Sequence, residues 1–172
     1  PLAFLARPAR WLHTLHAHRG TLSPAPNFAY DLCARRVTDA ELKGLDLSAV
    51  RVLLNGSEAV SPDTLERFTS RFAPYGLDPG AVMPVYGLAE CAVGLAMPPV
   101  GRPTRVDRIA RAEFERTGHA APAPDGDATA LRFVSCGRAL PDHEVQVVDT
   151  EGARTTERRE GRIRFRGPSA TA

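Results

Sequence analysis

Sulfur is scarce in this chain: three cysteines and two methionines in 172 residues. Cys33, Cys91 and Cys136 are odd in number, far apart and without a C-x-x-C pair, which argues against a disulfide framework or a thiolate zinc site. A reducing, cytoplasmic setting is expected. Charge of one sign is also lacking, since 22 basic and 20 acidic side chains leave a net +2. So small an excess gives no reason to expect a nucleic-acid or membrane partner. The longest uncharged apolar run, Cys91 to Met97, is far short of the ~20 residues a bilayer span needs. Two glycine-rich phosphate loops are missing, since neither G-x-G-x-x-G nor G-x-x-x-x-G-K-[ST] occurs. Ser57 lacks the G-x-S-x-G setting of a hydrolase elbow, and Ser135-Cys136-Gly137 has no histidine at a telling distance, so nucleophilic catalysis is not expected. The opening PLAFLARPARWL has neither an initiator Met nor a basic-then-apolar leader, and RFRGPSATA stops without a closing element. The sequence reads as a piece of a longer protein.

What is present is a globular composition, 43% hydrophobic and 24% charged, at about one domain's length. Pro8, the apolar Trp11, Leu12 and Leu15, and Gly20 predict a first helix. His13, His16 and His18 split across its faces and read as a solvated helix end rather than a metal cluster. In SPAPNFAYDLCARRV the prolines predict the opening of a helix near Asn27, with aromatics on two sides implying burial all round. Thr38 and Glu41 form a capping box for a short helix stopped by Gly44. VRVLL at 50–54 predicts a doubly covered strand, Ser61-Pro62 opens a helix with Leu65, Phe68 and Phe72 inward, and VMPV at 82–85 predicts the next strand. Together they make a parallel, right-handed βαβ unit.

From Arg102 to Leu131 the texture turns to Pro, Gly and charge around one helix, Arg108 to Arg116, capped by Asp107 and stopped by Gly118. It reads as an insertion with a thin apolar stripe of Ile109, Ala110 and Phe114, too little to hold it in place. Strands return at 131–135, 144–149 and 161–167, the last two antiparallel with one wetted face. Arg162, Arg164 and Arg166 share a face that reads as solvated, with phosphate contact as the alternative. The predicted fold class is α/β: a mixed, mostly parallel sheet flanked by helices, one subdomain over 1–172 with an insertion at about 102–131.

Ligands of open α/β sheets sit at the carboxyl ends of parallel strands. Two loops leave such ends here, Asn55-Gly56-Ser57-Glu58 and Tyr86-Gly87-Leu88-Ala89-Glu90. Gly56 and Gly87 allow close backbone approach, Tyr86 offers a flat face, and Glu90 is a hard oxygen ligand suited to Mg²⁺. A helix starting near Leu88 would aim free N–H groups at an anion. That set suits a nucleotide with its metal. The competing reading makes Tyr86 a core aromatic and Glu90 an acid favouring a helix start.

YGLAE resembles the Tyr-Gly-x-Thr/Ala-Glu motif of the adenylate-forming superfamily. SPAPNFAYDLC, NGSEAVSPDTLERFTSRFAPYGL, VYGLAE and FVSCGRALPDHEVQVVD, in that order, resemble the fatty acyl-AMP ligases and long-chain fatty-acid–CoA ligases over nearly the whole chain. The resemblance implies ATP- and Mg²⁺-dependent activation of a fatty acid to an acyl-adenylate, passed to an acyl carrier protein or to coenzyme A. By position it implies that Asn55, Gly56, Ser57 and Glu58 border the adenine and that Tyr86 stacks on it. Gly87, Leu88 and Ala89 would run beside the α-phosphate, with Glu90 as the catalytic Mg²⁺ ligand. The segment with Asn27, Phe28 and Tyr30 would line the acyl tunnel. Ala89 stands where many relatives have Thr, and Ser57 where Ala is common. A Lys-bearing phosphate loop, a ribose-binding Asp and a C-terminal domain with a catalytic Lys are expected outside residues 1–172, which would leave these residues inert alone. A non-catalytic binding module of the same fold is the alternative of another class.

Overall fold

The computed structural model describes residues 2–171. Its centre is a parallel sheet of three strands, β1 (Leu22–Pro26), β2 (Val52–Gly56) and β3 (Val82–Pro84), in that spatial order. Leu53 pairs with Val82 and Asn55 with Pro84, so the predicted βαβ unit forms with its strands adjacent. β1 departs from expectation, because SPAP was read only as the opening of a helix. Prolines cannot donate to a ladder, but on an edge strand their nitrogens can face away from the neighbour at no cost. Pro24 and Pro26, two residues apart, sit on the same side of such an edge strand.

Helices α1 (Leu2–Ala6), α2 (Ala9–Ala17), α3 (Asn27–Arg36) and α4 (Pro62–Phe72) accompany this sheet. α4 starts as predicted, with Ser61 Oγ accepting from the Thr64 N–H and Pro62 in the first turn, and it buries Leu65, Phe68 and Phe72. Trp11, Tyr30, Phe68 and Phe72 form a continuous aromatic run, with ring centroids 5.3 Å apart for Trp11–Tyr30, 5.0 Å for Tyr30–Phe68 and 4.7 Å for Phe68–Phe72. Such pairs add to plain area burial. α3 is not buried all round. Ala29, Tyr30, Cys33 and Ala34 face the core, while Phe28 is 48% exposed and Asp31 pairs with Arg35 and Arg67 outside. The Thr38–Glu41 reciprocal bonds form as a capping box would, yet they close a turn rather than a helix, and Gly44 follows with φ +77°.

Tyr30 is fully buried, and its hydroxyl donates to the Leu54 carbonyl at 2.9 Å. Burial, and behind it the Cys33 thiol, pushes the phenol's pKa upward; burial alone pushes Cys33 up to about 12. A group that holds its proton more tightly when folded stabilises fully below its unfolded pKa and loses that contribution as pH climbs above it. Denaturant midpoints should therefore fall from about pH 9 upward. Tyr30→Phe should remove up to about 1.4 kcal/mol per pH unit of that slope above pH 10, and should cost about 1 kcal/mol at pH 7 through loss of the hydroxyl's hydrogen bond to the Leu54 carbonyl. An unchanged alkaline slope in the variant would contradict this assignment.

The segment 102–131 is more ordered than its composition implied. β5 (Val106–Ile109) pairs antiparallel with β6 (Leu131–Val134), and α5 runs from Arg111 to Thr117. Asp107 therefore lies in a strand and caps nothing; Ala110 precedes the helix, and Gly118 ends it with φ +66° as expected. Ile109 is 1% exposed, Phe114 meets Phe133 edge-on at 6.1 Å, and Arg132 reaches Asp63 and Glu66 on α4. The anchor missed from sequence is the strand, not the helix. Since exposed ion pairs are each worth under about 1 kcal/mol, Arg132→Ala should shift the midpoint little. It should nonetheless speed proteolysis within 106–134; unchanged cleavage there would mean that strand pairing alone holds the segment.

Two-residue strands β4 (Ala96–Met97) and β7 (Arg138–Ala139) pair antiparallel, as do β8 (Glu144–Val148) and β9 (Arg162–Arg166). The β8–β9 arginines stay within the protein: Arg166 pairs with Glu144, Arg164 with the Gln146 side chain, and Arg162 with the carbonyls of Asp149 and Thr150. No described helix is long and apolar enough to cross a membrane.

Candidate functional site

The two predicted loops leave the same end of the sheet. The Val85 N–H donates to the Asn55 carbonyl at 2.8 Å just past the β2–β3 ladder. A Cβ on Gly56 would sit 3.0 Å from both the carbonyl oxygen and a methyl of Val85, so a side chain there would press on Val85 and make it give way slightly. Beyond Gly56 the chain turns sharply, with exposed Ser57 at φ +67°.

Tyr86 begins a closed loop. It exchanges backbone bonds with Ala96 at 3.0 and 2.9 Å, and the Leu95 N–H also reaches its carbonyl. Inside, Gly87 passes so near the returning chain that a Cβ would lie 1.5 Å from the Val93 carbonyl oxygen. The helix expected near Leu88 does not form. A single tight turn, Ala89–Cys91, is followed by Ala92 at φ +44° and Val93 at φ +71°. Those left-handed residues reverse the chain toward β4 before a second turn could stack, so no helix N-terminus faces the site. The loop instead displays Tyr86, 36% exposed, and an exposed Glu90. Its far side is held by the C-terminal segment: the Thr171 N–H donates to the Glu90 carbonyl at 2.8 Å, and Cys91 Sγ lies 3.3 Å from Ser169 Oγ.

Among the described residues, no three His, Cys, Asp or Glu side chains converge on a metal-sized site, and the three helix histidines are exposed. Glu90 alone still fits Mg²⁺, which is commonly held by one or two carboxylates together with substrate phosphates.

The segment expected to line an acyl tunnel divides. Asn27 and Phe28, at the start of α3, touch the loop that follows β2. Asn27 Oδ1 accepts from the Ser61 N–H at 3.2 Å and from Asn55 Nδ2 at 3.4 Å, and the Phe28 N–H donates to Glu58 Oε1 at 2.6 Å. The Phe28 side chain lines an open groove of about 540 Å³ along β1 with Phe4, Trp11 and Pro24. Tyr30 lies apart from both, inside the core. Sequence reasoning did not bring Phe4 or Trp11 to that groove, nor Ser169 and Thr171 to the Glu90 turn. All join segments distant in the chain, and no local pattern announces them.

The fold recurs in known proteins. Residues 2–172 match the family described as AMP-binding enzyme. A long-chain-fatty-acid–AMP ligase of Mycobacterium marinum is 42% identical over 153 residues, covering 88% of this chain and 26% of its own length. A putative fatty-acid–CoA ligase of Mycobacterium tuberculosis is 48% identical over 106 residues, 62% of this chain and 18% of that protein. The solved fatty acyl-adenylate ligase of L. pneumophila, in complex with acyl adenylate and pyrophosphate, superimposes with a TM-score of 0.92 at 30% identity, over 99% of this chain and 30% of that one. The chain thus spans less than a third of each of these proteins. Over that span it belongs to the AMP-binding enzyme family.

Proposed function

We propose that these residues form the adenine-facing and acyl-facing part of a cytoplasmic fatty-acid adenylating enzyme, which joins a fatty acid to ATP, giving acyl-adenylate and pyrophosphate. The observation that carries this reading is the convergence at one sheet end of the Asn55–Glu58 loop, the Tyr86–Glu90 loop and the start of α3. Tyr86 offers its exposed ring to adenine, and the backbone of Asn55, Gly56, Ser57 and Glu58 borders it. Gly87, Leu88 and Ala89 run beside the α-phosphate. Mg²⁺ held by Glu90 and the phosphates would offset charge repulsion there. Asn27 and Phe28 position the acyl chain near the groove along β1.

The whole enzyme should catalyse ATP–pyrophosphate exchange that depends on added fatty acid, whereas residues 1–172 alone should show none. Exchange by the isolated residues, or none by the whole enzyme with any of a series of fatty acids, would overturn the reading. The acceptor is a carrier protein's pantetheine arm. Comparing acyl-CoA with acyl-carrier product from the same adenylate tests this, and abundant acyl-CoA would replace the carrier with coenzyme A.

A further inference from the structure

From these contacts we infer that Glu58 is a positioning residue that links nucleotide occupancy to the acyl-binding segment, an inference that rests on the adenylating function proposed above. The resemblance implies only that the loop after β2 borders the adenine. Glu58 turns to α3 and accepts the Phe28 N–H at 2.6 Å, capping one of the free donors of that helix's first turn from thirty positions away in the sequence. No local cap does this work, since the residue before the helix is Pro26 and makes no side-chain cap bond. A carboxylate at that end also meets the positive pole of the α3 dipole.

A second tie runs beside it and has only one consistent orientation. Asn27 Oδ1 accepts from the Ser61 N–H, which fixes that amide. Asn55 must then present its Nδ2 to the same oxygen, as it does at 3.4 Å. Asn55 is fully buried, and its own Oδ1 finds no donor among the described residues. A buried acceptor left unpaired is costly, so the site is held in this arrangement by its surroundings rather than by Asn55's own preference. Both ties join the same two pieces: the loop that would border adenine and the first turn that carries Phe28 into the groove. Displacing the loop by bound nucleotide therefore moves or steadies the Phe28 backbone directly. In the resting chain Glu58 is exposed, so the link is adjustable rather than locked.

The test uses the whole enzyme, with AMP and ATP as nucleotide probes and a long-chain fatty acid as substrate. Glu58→Ala removes the acceptor, while Glu58→Gln keeps an oxygen that can still accept from Phe28 N–H. For Glu58→Ala, KM for the fatty acid should rise about fivefold relative to KM for ATP, the size of a lost helix-start cap. Glu58→Gln should restore most of the difference. By hydrogen exchange, AMP should slow the peptide containing residues 27–30 in the wild-type and Glu58→Gln enzymes and not in Glu58→Ala. A merely structural role would move stability without removing that nucleotide-dependent protection. If Glu58→Ala keeps both the KM ratio and the AMP effect, the inference is wrong. If the wild-type enzyme adenylates fatty acids yet AMP leaves residues 27–30 unchanged, it is equally wrong. Should the wild-type enzyme neither adenylate nor bind nucleotide, the functional reading fails and the linkage with it. Faster exchange of residues 27–30 in ligand-free Glu58→Ala would then show only the cap.

Discussion

Glu90→Ala in the whole enzyme is expected to reduce fatty-acid-dependent ATP–pyrophosphate exchange about a hundredfold or more, because a metal ion at a transferring phosphate is worth several kcal/mol of charge stabilisation. The side chain is exposed and joins no ion pair among the described residues, while its backbone carbonyl alone holds Thr171. Removing the carboxylate should therefore leave the thermal midpoint within about 1 °C, as for a surface substitution away from any special contact. Three readouts together locate the loss: exchange falls, the Mg²⁺ concentration for half-maximal rate rises, and the fold is unchanged. Glu90→Asp should recover part of the rate, since the shorter acid keeps the charge but draws the oxygen back by one methylene. A Glu90→Ala enzyme with normal exchange and normal Mg²⁺ dependence would remove Glu90 from the site. Tyr86 and the Asn55–Glu58 loop would then have to account for nucleotide binding without it.

The elements that position this carboxylate were legible in the sequence because they obey short-range rules. Leu53 and its neighbours form an apolar run of strand length, Ser61-Pro62 is a helix start, and Leu65, Phe68 and Phe72 repeat at helical spacing. Adjacency of β2 and β3 then followed from the crossover rule. The failures have a common physical cause. β1 was hidden because Pro24 and Pro26 forbid a central strand but not an edge one, and nothing local says which will occur. β5 was hidden because Val106-Asp107-Arg108-Ile109 is a half-charged tetrad that gains strand character only by pairing with Leu131 to Val134. Ala92 and Val93 gave no warning of left-handed backbone, which Gly or Asn would have given. Tertiary closure imposes that conformation, and it cost the site its expected helix. The Asn27–Asn55 and Phe28–Glu58 bonds cross about thirty residues, beyond any periodic signal. Position after a strand end and short motifs picked out the candidate residues; only the packed chain shows that the loop after β2 and the start of α3 are bonded together.

The strained return of that loop makes Gly87 the position of least tolerance. A methyl group there would lie 1.5 Å from the Val93 carbonyl oxygen and 2.6 Å from its carbonyl carbon, both backbone atoms. A flexible side chain could swing aside, but this obstacle can move only if the chain from Leu88 to Gly94 is rebuilt. Val93 has little room to yield, being a β-branched residue already at φ +71°. The paired bonds between Tyr86 and Ala96 fix both ends of the same loop. Gly87→Ala should therefore cost about 3 kcal/mol or more where overpacking ordinarily costs about 1–3. The cost should fall locally: amides of Leu95 and Ala96, which bond the Tyr86 carbonyl, should exchange far faster, and ATP–pyrophosphate exchange should drop about a hundredfold as Tyr86 and Glu90 lose their places. Gly101→Ala is the control. That glycine has φ +74° but nothing within 4 Å of a Cβ, so the substitution should cost only the left-handed penalty of about 1–2 kcal/mol and leave exchange of pyrophosphate near normal. Equal losses for the two variants would mean that backbone conformation alone, and not the passage of Gly87 beneath Val93, shapes the loop.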